Sequence, residues 1–185
     1  MSIKINNMVG IGVAGNFTGH LEQAGESGDF INVRTKDVHA PKGLFPFYLP
    51  HHPSSHLSKF PLSAVAINKP DDTSNLQIEP EVALICDVSY KNDKVESITP
   101  KLFCAFNDCS IRKEGAKKIS EKKNWGEHSK GISPHMLPID SFEKGGILDG
   151  YRLASFLKRN GQILEYGIDS KVSEYSYFHG ELFSR

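Results

Sequence analysis

The sequence predicts an α+β fold that is mainly β, and three observations carry the expectation. Short apolar runs rich in β-branched residues recur, as in "VALICDVSY" and "LFCAFND". Asn160-Gly161 lies between two apolar-rich segments, the arrangement that a two-residue type I′ hairpin demands. Residues 39–63 hold five prolines and four histidines in 25 residues, which rules out a long helix there and confines strands to edges.

The elements follow in order. "NMVGIGVAG" reads as a short apolar strand, and "NFTGHLEQAGE" as a turn with a short helix or ordered loop. "VALICDVSY" is a strand, "YKNDKVES" supplies turn residues, and "LFCAFND" is a second strand. "GAKKISEKKNW" predicts a short, solvated helix, and "SKVSEYSYFHGEL" a terminal helix. No repeat, low-complexity tract or linker divides the chain, so residues 1–185 are expected to form one domain.

Composition narrows the function classes. With 38% hydrophobic and 24% charged residues in 185, the chain is long enough to bury a core and reads as soluble. Lys+Arg and Asp+Glu are equal at 22 each, which gives no reason to expect nucleic acid or an anionic membrane as partner. The three cysteines, Cys86, Cys104 and Cys109, are odd in number and form no C-x-x-C pair, as suits free thiols in a reducing compartment. No apolar run reaches the roughly 20 residues that a membrane span needs. The start "MSIKINNMVG" lacks the pattern of a signal peptide, so the expected location is the cytoplasm.

The chemistry concentrates in "QIEPEVALICDV". Residues i and i+2 of a strand share a face, so Glu79 and Glu81 would present two carboxylates side by side. Pro80 between them cannot donate to a ladder and marks an edge, a strand start or a bulge. Two such charges repel unless a cation or a proton lies between them. Asp108 ends the next apolar strand and would approach them if the two strands pair. Three carboxylates without a soft ligand suit a hard ion, Mg²⁺, Mn²⁺ or Ca²⁺. The competing reading is an acidic, solvated strand end.

"GIGVAG" at residues 10–15 is formally a dinucleotide fingerprint, but a proline-rich stretch follows where a second parallel strand is required, so glycines permitting a tight turn are the better account. His51, His52 and His56 are clustered but lack the fixed spacing of a helical zinc site. Cys104 and Cys109 read as small buried hydrophobes. Trp125 and the lysines of "AKKISEKKNW" read as a solvated helix face beside the Lys130 loop, since zero net charge argues against an RNA strip.

"IEPEVALICDV" followed by "FNDCSIR" resembles the fumarylacetoacetate hydrolase family, which carries an E-x-E-L/M-A strand and then an N-D-x-S-x-R segment. "GVAGNFTGHLEQAGE" is similar to the family's G-x-N-Y-x-x-H-x-x-E, "HSKGIS" to its lysine segment, and "FLKRNGQILEYG" to its N-G hairpin. The four motifs occur in order across nearly the whole chain. The resemblance implies a mixed β-roll and a divalent ion on Glu79, Glu81 and Asp108. It further implies Arg112 pairing with a substrate carboxylate or bracing the metal shell, Lys130 opposite developing negative charge, and His20 as general base. It implies a homodimer as well.

The departures carry expectations too. Gln23 stands where the family's dyad acid usually lies, leaving Glu22 and Glu26 as substitutes, and Phe47 stands where members often have lysine. The family's glycine-rich C-terminal segment has no counterpart before Arg185, so the chain is expected to be either truncated or from a shortened branch. The implied function is a metal-dependent hydrolase or lyase acting on a small 1,3-dicarbonyl or 2-oxo acid, by C–C cleavage, decarboxylation or isomerisation. The rival is a catalytically inactive shortened paralogue serving in binding or assembly.

Overall fold

The computed structural model describes residues 4–14, 43–53, 55–70, 75–111 and 119–174. Their structure is mainly β. Along the chain, β1 (Gly10–Ala14) pairs with β2 (Gly43–Tyr48), and α1 (Ser55–Ser58) and β3 (Leu62–Ser63) follow. β4 (Leu76–Gln77) precedes two long strands, β5 (Pro80–Lys91) and β6 (Lys94–Asn107). β7 (Ser110–Ile111), α2 (Ile119–Lys123), β8 (Lys130–Ile132) and β9 (Leu137–Pro138) come next. β10 (Arg152–Leu153), β11 (Phe156–Arg159), β12 (Gln162–Glu165) and β13 (Ser170–Lys171) complete the strands.

These elements sort into two compact units, each drawn from separate stretches of chain. The first comprises the described residues of Met1–Val13, Leu44–Glu81 and Ala105–Pro134. β8 is its central strand, parallel to β3 and antiparallel to the end of β6. β4 and β7 form a small antiparallel pair, with Leu76 opposite Ile111 and Gln77 opposite Ser110. In β1, Gly10 and Gly12 lie against aromatic rings: a Cβ on Gly10 would fall 2.5 Å from the Phe47 ring, and one on Gly12 2.3 Å from Phe45. These two glycines of "GIGVAG" therefore serve ring packing. Pro46 fits within β2 because a strand of a two-stranded sheet has an edge that needs no N–H donor.

The second unit comprises the described residues of Ala14–Gly43, Val82–Cys104 and His135–Arg185. Here β5 and β6 are neighbours joined by Asn92-Asp93, whose φ values of 51° and 60° give the left-handed pair of a type I′ turn. "YKNDKVES" is thus two turn residues between long strands, rather than a longer turn. The tight turn lets pairing start at Lys91 and Lys94. β9 adds to β6, with Phe103 opposite Leu137. The core gathers Phe103, Ile139, Phe142, Leu148 and Val172, with Val82, Leu84 and Leu153 packed against it. Each fully buried apolar side chain of this kind contributes about 1.5–3 kcal/mol. The hairpin expected at Asn160-Gly161 is present, with φ of 51° and 80° and Arg159 opposite Gln162. Ser170–Lys171 form β13 and Val172–Glu174 a 3-10 turn where the start of a terminal helix is expected; pairing of β13 with β10 takes that segment into a strand. No helix among the described residues is long and apolar enough to cross a membrane.

Candidate metal centre

The first unit brings Glu79 and Asp108 together by strand register. Gln77 opposite Ser110 in the β4–β7 pair sets a register that, continued, places Glu79 opposite Asp108. The link is made: the Asp108 N–H donates to the Glu79 carbonyl at 2.9 Å, and the Glu79 N–H to Asn107 Oδ1 at 3.1 Å. Pro80 then opens β5, so the chain is irregular at Glu79 and Glu81 is the second residue of the strand. One carboxylate oxygen from each of Glu79, Glu81 and Asp108 lies within 4.8 Å of the others. It is the one such group of potential ligands among the described residues, and no histidine or cysteine belongs to it. Glu79 and Asp108 are buried, at 2% and 4% exposure, while Glu81 is half-buried.

Two lysines enter the same cluster. In the β6–β8 pair Asn107 faces Gly131, which sets Lys130 beside Asp108 one step along. The Lys130 ammonium donates to Asp108 Oδ1 and, at 3.2 Å, to the Cys109 carbonyl. It is completely buried, with the Phe47 ring centroid 5.3 Å away. Lys123, the last residue of α2, reaches Glu79 Oε2 at 2.6 Å and Asp108 Oδ2 at 2.7 Å, and is 3% exposed. Its ammonium also lies 3.3 Å from the Asp108 carbonyl. The Ser110 hydroxyl donates to Glu79 Oε1.

Lys123 corrects the expectation of a solvated lysine face. Two buried carboxylates need a cation, and this side chain supplies one. Asn124 fixes its position: its Nδ2 donates to the carbonyls of Phe47 at 2.7 Å and Lys59 at 3.1 Å. Trp125 is likewise engaged, its Nε1 donating to the Asn68 carbonyl at 2.8 Å. Spacing could not have singled out Lys123 from the other lysines of its run. The surplus of acids over Lys130 was the available signal.

The electrostatics follow. Burial, with the charge of Asp108 next, pushes the Glu81 carboxyl up to about 8, against the pull of Lys123 and Lys130. Burial also acts to raise Asp108, but the ammoniums of Lys130 and Lys123 and their hydrogen bonds outweigh it and hold the carboxyl below its usual range. Burial would lower Lys123, but the charges of Asp108, Glu79 and Glu81 prevail and raise it. Lys130 is lowered by complete burial and by its like-charged neighbour Lys123, although Asp108 opposes. Burial pushes the Cys109 thiol up to about 11, which fits a packing residue rather than a nucleophile.

Three oxygen donors of hard character, close together, two of them buried and one half-buried, fit a divalent ion of the Mg²⁺, Mn²⁺ or Ca²⁺ kind. Of the other candidates, His20, Glu22, Glu26 and Arg112 lie outside the described residues.

A model of a family of unknown function, DUF5718, matches residues 26–184. The chain belongs to that family. No curated protein and no solved structure matches it. The Glu79, Glu81 and Asp108 cluster of this DUF5718 member falls within the matched region.

Proposed function

We propose that the protein is a divalent-metal-dependent hydrolase or lyase acting on a small 1,3-dicarbonyl or 2-oxo acid. The observation that carries the reading is the convergence of Glu79, Glu81 and Asp108 within 4.8 Å, at the positions that the fumarylacetoacetate hydrolase resemblance assigns to the ligands. The same resemblance is the basis for a β-roll and for a second copy completing the pocket, and the mainly β structure accords with it.

Glu79, Glu81 and Asp108 would hold the ion through carboxylate oxygens. When bound, it supplies Lewis-acid stabilisation of negative charge developing on a substrate oxygen. Lys130 acts here as a positioning residue. Its ammonium fixes Asp108 Oδ1 and offsets that charge, and its complete burial keeps it from substrate in this arrangement. Ser110 fixes Glu79 in the same way. His20, oriented by Glu22 or Glu26, would take a proton from water, and Arg112 would clamp a substrate carboxylate through its planar fork.

The second reading, an inactive relative serving in binding or assembly, has one observation in its favour. Lys123 and Lys130 together already give the two buried acids one positive charge each without an ion. A purified sample assayed with Mg²⁺ or Mn²⁺ against 2,4-dioxo acids and oxaloacetate separates the two. Consumption faster than with the metal alone, and abolished by EDTA, supports the enzyme, and no turnover of any of these acids beyond the metal's own rate supports the binding module.

A further inference from the structure

We infer that the Lys123 ammonium and a divalent ion are alternative occupants of one position, so that an ion enters the triad only by displacing Lys123. The inference rests on the metal reading above and adds what that reading does not contain, a resident cation that competes for the site.

Ser110 holds Glu79 Oε1, and Lys130 holds Asp108 Oδ1. The other oxygen of each acid, Glu79 Oε2 and Asp108 Oδ2, is left for a shared ligand, and Lys123 Nζ lies 2.6 and 2.7 Å from them. Oxygens bind Ca²⁺ at about 2.3–2.6 Å and Mg²⁺ at about 2.0–2.1 Å. An ion at the nitrogen's position would need only a slight contraction of the cluster.

Charge decides that the two occupants exclude each other. The cluster holds the carboxylates of Glu79, Glu81 and Asp108 against the ammoniums of Lys123 and Lys130. A dication added to both lysines would leave an excess of positive charge in a buried place and set like charges in contact. With Lys123 withdrawn, the ion and Lys130 together balance the three ionised acids. The backbone need not follow. Asn124 is tied to the carbonyls of Phe47 and Lys59, so the exchange is a swing of the Lys123 side chain about a fixed helix end.

The test is calorimetric titration of the EDTA-treated full chain with Mn²⁺, in wild type and in Lys123→Met. The methionine keeps an unbranched side chain and removes the charge. The expected result is Mn²⁺ binding at least about tenfold tighter in Lys123→Met, since the ion no longer competes. The metal-free variant should also melt lower, by about 10 °C, because Glu79 loses its counterion and Asp108 one of its two. Mn²⁺ should restore more of that loss than it adds to wild type. If Lys123→Met does not fold, Lys123→Gln, which keeps a hydrogen-bond donor for Glu79, is titrated in its place.

The outcomes separate the two readings. Tighter binding in the variant with no detectable binding in wild type supports displacement and removes the metal-dependent function. Equal affinity, or weaker binding in the variant, overturns displacement and leaves that function standing. Binding in neither protein overturns both.

Discussion

Glu79 illustrates how a buried acid is made tolerable. One oxygen accepts from the Ser110 hydroxyl and the other from the Lys123 ammonium. Removing one of these donors leaves a charged oxygen without its partner in a dry place, a loss of about 1–3 kcal/mol or more. Ser110→Ala should therefore lower stability by about that amount, read by urea denaturation, with little change in the shape of the far-UV circular dichroism spectrum. A neutral effect would mean that Ser110 does not hold Glu79.

Glu81 gives the residue scale its pH dependence. Its carboxyl is raised from 4.5 to about 8, chiefly by burial, so the folded protein keeps a proton that the unfolded chain has lost across this interval. The folded state then binds more protons than the unfolded state, and stability falls as pH rises. The contribution is complete below 4.5 and is lost as pH climbs through about 8. Asp108, held below its usual range, acts in the opposite sense and only at lower pH. Metal-free protein should lose up to about 1.4 kcal/mol per pH unit from Glu81 in the window. Glu81→Gln should flatten that slope in urea titrations across the same window. An unchanged slope would place the proton elsewhere.

At the scale of elements, the close approach of β1 to β2 depends on glycine. A Cβ at Gly12 would lie 2.3–2.8 Å from three atoms of the Phe45 ring, and Phe45 is itself buried. Gly12→Ala must push that ring aside, a cost of about 1–3 kcal/mol. Thermal melts check the magnitude. A stability equal to wild type would show that the ring moves freely.

What the sequence disclosed differs from element to element, for physical reasons. The Asn160-Gly161 hairpin was legible because its turn needs two residues at positive φ, and few residue pairs provide them. The irregular start at Pro80 was legible because proline cannot donate to a ladder. Asn92-Asp93 hid its tight turn among polar neighbours that turn out to extend the strands. In the site, the Glu79, Glu81 and Asp108 convergence was readable from spacing and resemblance. Lys123 was not, because a lysine in a basic run is usually solvated. Only the register that brings Glu79 opposite Asp108 creates the pair of acids that draws it inward. Burial of Lys130 was hidden for the same reason, since it depends on the pairing of β8 with both β3 and β6.

At the scale of the whole molecule, the account rests on the acidic triad as a site for a divalent ion. All three acids and both lysines lie within one compact unit, so the site needs no second unit to assemble its ligands. Glu81 is the acid to remove, since it is less buried than Glu79 and Asp108 and its loss disturbs packing least. The decisive measurement is Mn²⁺ titration of wild type and Glu81→Ala by calorimetry at a pH above 8, where the Glu81 carboxyl is ionised. The account predicts binding to wild type and an affinity at least about tenfold weaker in Glu81→Ala. Equal affinity in the two proteins would contradict it.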